Sequence, residues 1–167
     1  MAKIESFDVT TGVDLMEVEN AVNQALKEIS QRYDFKGAKT LLELRKADHL
    51  LVLEAPDDMK LKAMWEMLLG KLVRRKVPTK NCQLEPVQKA GGDRVRQEIK
   101  LVSGLDIEIC RRIVKSIKEA KFKKAQAAIE GEKVRISGPS RDELQEVIAH
   151  LKQQDFGVEL QFGNYRS

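Results

Sequence analysis

The chain repeats itself, which restricts it to folds assembled from two copies of one small unit. Thr11-Gly12-Val13-Asp14-Leu15 resembles Ser103-Gly104-Leu105-Asp106-Ile107, 92 positions on. Ala55-Pro56, followed by Leu61 and Leu68, resembles Gly138-Pro139, followed by Leu144 and Leu151, 83 positions on. The first copy is therefore longer by nine residues, and Arg32-Tyr33-Asp34-Phe35-Lys36-Gly37 lies between the two anchors. A shared scaffold accounts for what the copies have in common, not for what one of them alone carries.

Periodicity gives each copy the order strand, helix, strand, strand, helix, strand. In the first, residues 3–10 alternate as a strand, and Asp14 opens a helix to about Arg32 with Glu17 at the capping-box position. Leu15, Val18, Val22, Ala25, Leu26 and Ile29 form its apolar stripe. Strands over 40–46 and 49–55 flank Ala47-Asp48 as a tight hairpin. A helix over 57–75 carries Leu61, Met64, Trp65, Leu68 and Leu72 and ends before Pro78. A strand over 81–87 follows, then Gly91-Gly92, the most linker-like stretch of the chain. The second copy reads as a strand over 94–102, a helix over 106–120, and strands over 124–130 and 133–138 meeting around Gly131. A capping box from Ser140 to Glu143 then opens a helix, and a short strand runs from about Val158 to Phe162. The expected fold class is α+β, a tandem of two ferredoxin-like (βαββαβ) domains, each with one open sheet face.

Hydrophobic residues at 42% and charged residues at 34% support packed cores under a solvated surface. No apolar run approaches the roughly 18 residues of a membrane span, and no signal-peptide core is visible, so a cytoplasmic protein without a membrane partner is expected. Cys82 and Cys110 read as small core hydrophobes, in a strand and a helix. His49 and His150 stand apart from any Cys/His cluster, and Asp57-Asp58 reads as a helix cap, so no metal site is expected. The chain has no glycine-rich phosphate loop with Lys and Ser/Thr, and no G-x-G-x-x-G, G-x-S-x-G or H-E-x-x-H motif. Neither a cofactor nor an enzymatic activity is expected.

The net charge of +4 is mild, but its distribution is uneven. Arg111, Arg112, Lys115, Lys118, Lys121, Lys123 and Lys124 stand against one acid, Glu119. Arg111, Lys115 and Lys118 share a helical face opposite Ile109, Ile113 and Ile117, and Lys123 and Lys124 carry the charge onward. This is a phosphate-binding face or an ordinary solvated one. In the strand over 94–101, Arg94, Arg96, Glu98 and Lys100 alternate with Val95, Ile99 and Leu101, and Lys133 and Arg135 alternate likewise. Basic open sheet faces suit a nucleotide or nucleic acid, or simply solubility. The third strands, Leu50-Leu51-Val52-Leu53 and Val134-Arg135-Ile136, lack the stacking aromatics of an RNA-recognition motif. Arg32-Tyr33-Asp34-Phe35-Lys36-Gly37 combines two rings, two cations and a turn glycine at a helix end. It is either a nucleotide contact, with stacking, phosphate pairing and an Arg fork to guanine, or a plug at the domain edge with Asp34 ion-paired.

Ser6-Phe7-Asp8, Glu17-Val18, Asn20-Ala21, residues 32–37, Asp57-Asp58, Lys60-Leu61, Val95-Arg96-Gln97, Leu160-Gln161-Phe162 and Asn164-Tyr165-Arg166, in this order, closely resemble the bacterial YajQ family across essentially the whole chain. Met59 departs from the phenylalanine common in that family. The resemblance implies exchanged N-terminal strands. One domain would be 11–103, completed by the strand 94–102, and the other 1–10 plus 104–167. It also implies a non-catalytic nucleotide-binding protein, with a guanine nucleotide or cyclic di-GMP as ligand and effector, relayed to a transcription factor or other protein. RNA is the alternative ligand. The contact residues expected for the nucleotide are Arg32, Tyr33, Asp34, Phe35, Lys36, Gly37, Arg96 and Lys100. Those for RNA are Arg111, Lys115, Lys118, Lys123, Lys124 and Arg135.

Overall fold

The computed structural model describes residues 3–167. In chain order the elements are β1 (Glu5–Thr10), α1 (Leu15–Gln31), β2 (Leu41–Arg45), β3 (Leu50–Ala55), α2 (Asp58–Arg74), β4 (Cys82–Leu84), β5 (Gln88–Lys89) and β6 (Val95–Leu101), then α3 (Ile107–Glu119), β7 (Gln126–Glu130), β8 (Lys133–Gly138), α4 (Arg141–Lys152) and β9 (Gln161–Arg166). The fold is α+β.

Capping side chains set each helix start. Asp57 accepts from the Lys60 N–H at 2.8 Å, Asp106 from Ile109 at 2.8 Å and Ser140 from Glu143 at 3.2 Å. Asp14 caps α1 through Met16, but the capping boxes expected from Glu17 and Glu143 do not close. Tertiary partners take both carboxylates: Glu17 pairs with Arg75 at 3.1 Å, and Glu143 accepts the N–H groups of Lys124 and Ala125 at 2.9 and 3.0 Å. The second arrangement fixes the backbone entering β7.

The chain divides into two compact units, Val13–Val102 and the residues up to Gly12 with Ser103–Ser167. In the Val13–Val102 unit the antiparallel sheet runs β2-β3-β6-β4, with β5 also on β6. Val18, Val22, Ala25 and Ile29 of α1 and Leu61, Met64, Leu68 and Leu72 of α2 bury one face against Leu42, Leu51, Leu53 and Ile99. Gly91-Gly92 is not a linker. It forms the turn of the β5–β6 hairpin, with positive φ at both glycines and at Asp93, closed by the Ala90 N–H on the Arg94 carbonyl at 2.8 Å. The β2–β3 loop is also wider than two residues, because Lys46–Asp48 form a 3-10 turn that ends on left-handed His49.

In the other unit the sheet order is β7-β8-β1-β9, all antiparallel. Phe7, Val9, Val134 and Ile136 meet Cys110, Ile113 and Ile117 of α3 and Leu144, Val147, Ile148 and Leu151 of α4 in its core. The last strand lies later than the expected 158–162 because Val158 is spent as a buried core residue after the turn at Gly157.

Candidate functional site

Residues 32–37 follow the end of α1. Tyr33–Phe35 form a single 3-10 turn, closed by N–H donation from Phe35 to Arg32 at 3.2 Å and from Lys36 to Tyr33 at 3.1 Å. The two rings separate. Phe35 is 5% exposed and packs in the core cluster, whereas Tyr33 is 88% exposed. Arg32 and Lys60 each sit 5.6 Å from the centroid of Phe35, so cations flank the ring that anchors the turn. Arg32 also forks onto Asp34, at 3.0 and 2.8 Å, which holds the Asp34 carboxyl below its ordinary range and raises the guanidinium's affinity for its proton. Gly37 leaves the turn at φ 76°, a left-handed conformation that a side chain would strain. The Arg94 guanidinium donates to the Lys39 carbonyl at 2.8 Å and ties this exit to the start of β6. Beside Arg32 a shallow groove of about 330 Å³ runs between α1 and α2, lined by Glu28, Met67, Gly70, Lys71 and Arg74.

The expected partners Arg96 and Lys100 lie elsewhere. Both alternate with inward-facing Ile99 and Leu101 on the sheet face away from the helices, and Arg32 belongs to the helix side. They are also spoken for by carboxylates. Arg96 meets Glu98 at 2.9 Å and Glu54 at 3.6 Å, and Lys100 meets Glu85 at 3.0 Å. With Glu43 on Arg45 at 2.7 Å, this face is a mesh of paired charges rather than a basic surface.

In the other unit, Arg135 is held in the same way. Its Nε lies 2.9 Å from Asp8 and 3.2 Å from Glu130, and Lys133 reaches Asp8 at 3.2 Å. Asp8 is 4% exposed and also accepts from Asn164 at 2.6 Å; these donors, Arg135 first, hold its carboxyl far below the ordinary range despite burial. By contrast Arg111, Lys118, Lys121, Lys123 and Lys124 are exposed, and among the described residues none of them pairs with a carboxylate. Lys115 reaches Glu119 only at 3.9 Å. Arg112 has a structural task, stacking 5.4 Å from the centroid of Phe156 and donating to the Asp155 carbonyl.

His150 shares a 2.8 Å hydrogen bond with Ser116 and meets the edge of Phe122, which joins α3 to α4. Among the described residues no group of three or more His, Cys, Asp or Glu side chains could hold a metal, and no helix is long and apolar enough to cross a membrane. Lys60 is the member of the first site that residue types alone did not single out, although Lys60-Leu61 was one of the motifs shared with the family.

Nucleotide-binding proteins of several bacteria are similar in sequence to this chain along nearly its whole length. It is 48% identical over 166 residues to a nucleotide-binding protein of Desulfitobacterium hafniense, covering 99% of this chain and 100% of that one. It is 48% identical over 161 residues to one of Magnetococcus marinus, covering 96% and 98%, and 46% identical over 162 residues to one of Koribacter versatilis, covering 97% of each. The family model described as "Nucleotide-binding protein YajQ-like" matches residues 5–166, and the chain belongs to that family.

Proposed function

We propose that this chain is a non-catalytic cytoplasmic protein that binds a guanine-containing nucleotide, cyclic di-GMP in particular, and relays its presence to a transcription factor or another protein. The observation that carries this is Tyr33, an 88% exposed ring on a turn pinned by buried Phe35 and flanked by Arg32, Lys36 and Lys60. A base stacks on Tyr33, a contact worth about 1–3 kcal/mol, and phosphate meets Lys36 and Lys60. Arg32 is free to trade Asp34 for the O6/N7 edge of guanine. Both partners of that fork are substantially exposed, so water competes for it and it exchanges readily. Arg96 and Lys100 contribute charge from the far face rather than direct contact. Calorimetry is expected to show saturable binding that Arg32→Ala and Lys36→Ala each weaken. Absence of heat with every guanine nucleotide, or turnover of labelled nucleotide by the pure protein, would overturn the assignment.

Each unit is read as a ferredoxin-like sandwich, 11–103 and 1–10 plus 104–167, with the first strands exchanged. The pairing of β1 with β8 and β9, and of β6 with β3 and β4, supports this. A fragment spanning 11–103 then folds cooperatively, and one ending at residue 93 does not; equal stability of the two would count against the exchange.

The free cations of α3 and the loop after it favour RNA as a second ligand, held through Arg111, Lys115, Lys118, Lys123 and Lys124 without base readout. Arg135, committed to Asp8, adds little. Such binding falls steeply with salt, and a triple charge reversal at Arg111, Lys115 and Lys118 abolishes it. A salt-independent affinity would exclude this mode.

A further inference from the structure

The motifs at the two ends of the chain, Ser6-Phe7-Asp8 and Asn164-Tyr165-Arg166, meet in the unit that does not contain Tyr33. Their pairing is irregular. Ser6 lies opposite Arg166 and Asp8 opposite Gly163, so β9 carries one residue more than β1 and bulges. Asn164, at φ 54°, takes the left-handed position within the bulge, and its side chain is fixed by the 2.6 Å bond to buried Asp8. Phe162 already lies on the helix side, beside Phe7. Regular alternation would send Tyr165 to the opposite face; the extra residue turns it back, with its ring centroid 6.1 Å from that of Phe7. A buried carboxylate and a left-handed asparagine thus serve to aim one ring.

That ring borders a cleft of about 380 Å³ between the ends of β1 and β9 and the first turns of α4. Phe7 and Leu144 supply apolar wall, Tyr165 is 62% exposed, and Arg141 and Arg166 line the same opening. Glu5 holds Arg141 by a fork of 2.8 and 3.2 Å, whereas Arg166, opposite Ser6, turns its Nε to donate to Asn164 at 3.4 Å. The volume falls in the range of small-ligand sites, roughly 300–1,000 Å³. Its chemistry is an open aromatic face beside the Arg141 guanidinium, which suits a ring that carries a phosphate.

We infer that this cleft is a second ligand site, separate from the Tyr33 turn, that binds a purine nucleoside monophosphate with the base on Tyr165 and the phosphate on Arg141. It does not depend on the Tyr33 site being a nucleotide site. The test is an amide NMR titration of the full chain with GMP and with AMP, and with inorganic phosphate as the control. Residues 5–7, 141–145 and 163–166 are expected to shift saturably with at least one nucleotide. Tyr165→Ala weakens binding at these residues at least about fivefold, Tyr165→Phe preserves it, Arg141→Gln weakens it, and Tyr33→Ala leaves it unchanged. The inference is overturned if these amides stay still at millimolar GMP and AMP, if inorganic phosphate binds as well as the nucleotides, or if Tyr165→Ala is without effect. Because Tyr165 is largely exposed, the variants keep the fold, which the rest of the spectrum reports directly.

Discussion

Replacing Phe35 by alanine removes a ring that is 5% exposed and packs in the same core cluster as Ile29, Leu42 and Leu61. Truncation of a buried phenylalanine costs about 3–5 kcal/mol through lost transfer energy and the cavity left behind. A domain holds only about 5–15 kcal/mol in total, and one of this size loses about 4–8 °C of melting temperature per kcal/mol. The midpoint is therefore expected to fall by at least about 12 °C. Tyr33→Ala, two positions away and on an 88% exposed side chain, is expected to stay within about 0.5 kcal/mol of the parent. Trp65 is the single tryptophan and packs against this same core, so its fluorescence follows the unit that holds both residues. Thermal melts monitored at Trp65 make the comparison. If Tyr33→Ala shifts the midpoint as much as Phe35→Ala, the assignment of one ring to the core and the other to solvent is wrong.

Asp8 has its folded-state pKa depressed, first by the Arg135 hydrogen bond, so its stabilisation is fully present well above the unfolded value of about 3.9 and is lost as pH falls through that value toward the folded one. Asp8→Asn should cost about 1–3 kcal/mol at pH 7 and flatten the acid limb of stability against pH in urea titrations; an unchanged limb would contradict the clamp. At Gly138 a Cβ would lie 2.8 Å from the Lys124 backbone carbonyl, so Gly138→Ala is expected to destabilise by about 1–3 kcal/mol, and a neutral denaturation curve would exclude that contact. Burial pushes the Cys82 thiol up to about 11 and raises that of Cys110 as well. Neither is expected to react with iodoacetamide at neutral pH until urea opens the fold, and prompt alkylation of the native protein would show otherwise.

Helix starts were legible because local chemistry decides them: Asp57, Asp106 and Ser140 cap the helices that their neighbours' periodicity predicts. Glu17 and Glu143 were misread because their partners, Arg75 and the backbone at 124–125, lie far along the chain and outcompete the local box. Gly91-Gly92 has the composition of a linker and the function of a hairpin turn, and only the pairing of β5 with β6 separates the two. Alternation correctly put Arg96, Lys100 and Arg135 on open faces but could not reveal Glu54, Glu85 and Asp8 beside them, since that depends on register between strands and on side-chain reach. In residues 32–37, aromatic type alone does not say which ring turns inward. The 3-10 turn does, by sending Phe35 under Lys60 and leaving Tyr33 outside. The bulge at Asn164 left no periodic trace, which is why the aim of Tyr165 emerged only from the pairing of β1 with β9.

The most direct measurement is the affinity of cyclic di-GMP for the parent protein, Tyr33→Phe and Tyr33→Ala, by calorimetric titration. Stacking on an exposed, pinned ring predicts that Tyr33→Phe binds within about twofold of the parent and that Tyr33→Ala binds at least about fivefold more weakly. Identical isotherms for all three, or no saturable heat from the parent, would contradict the Tyr33 turn as the nucleotide site.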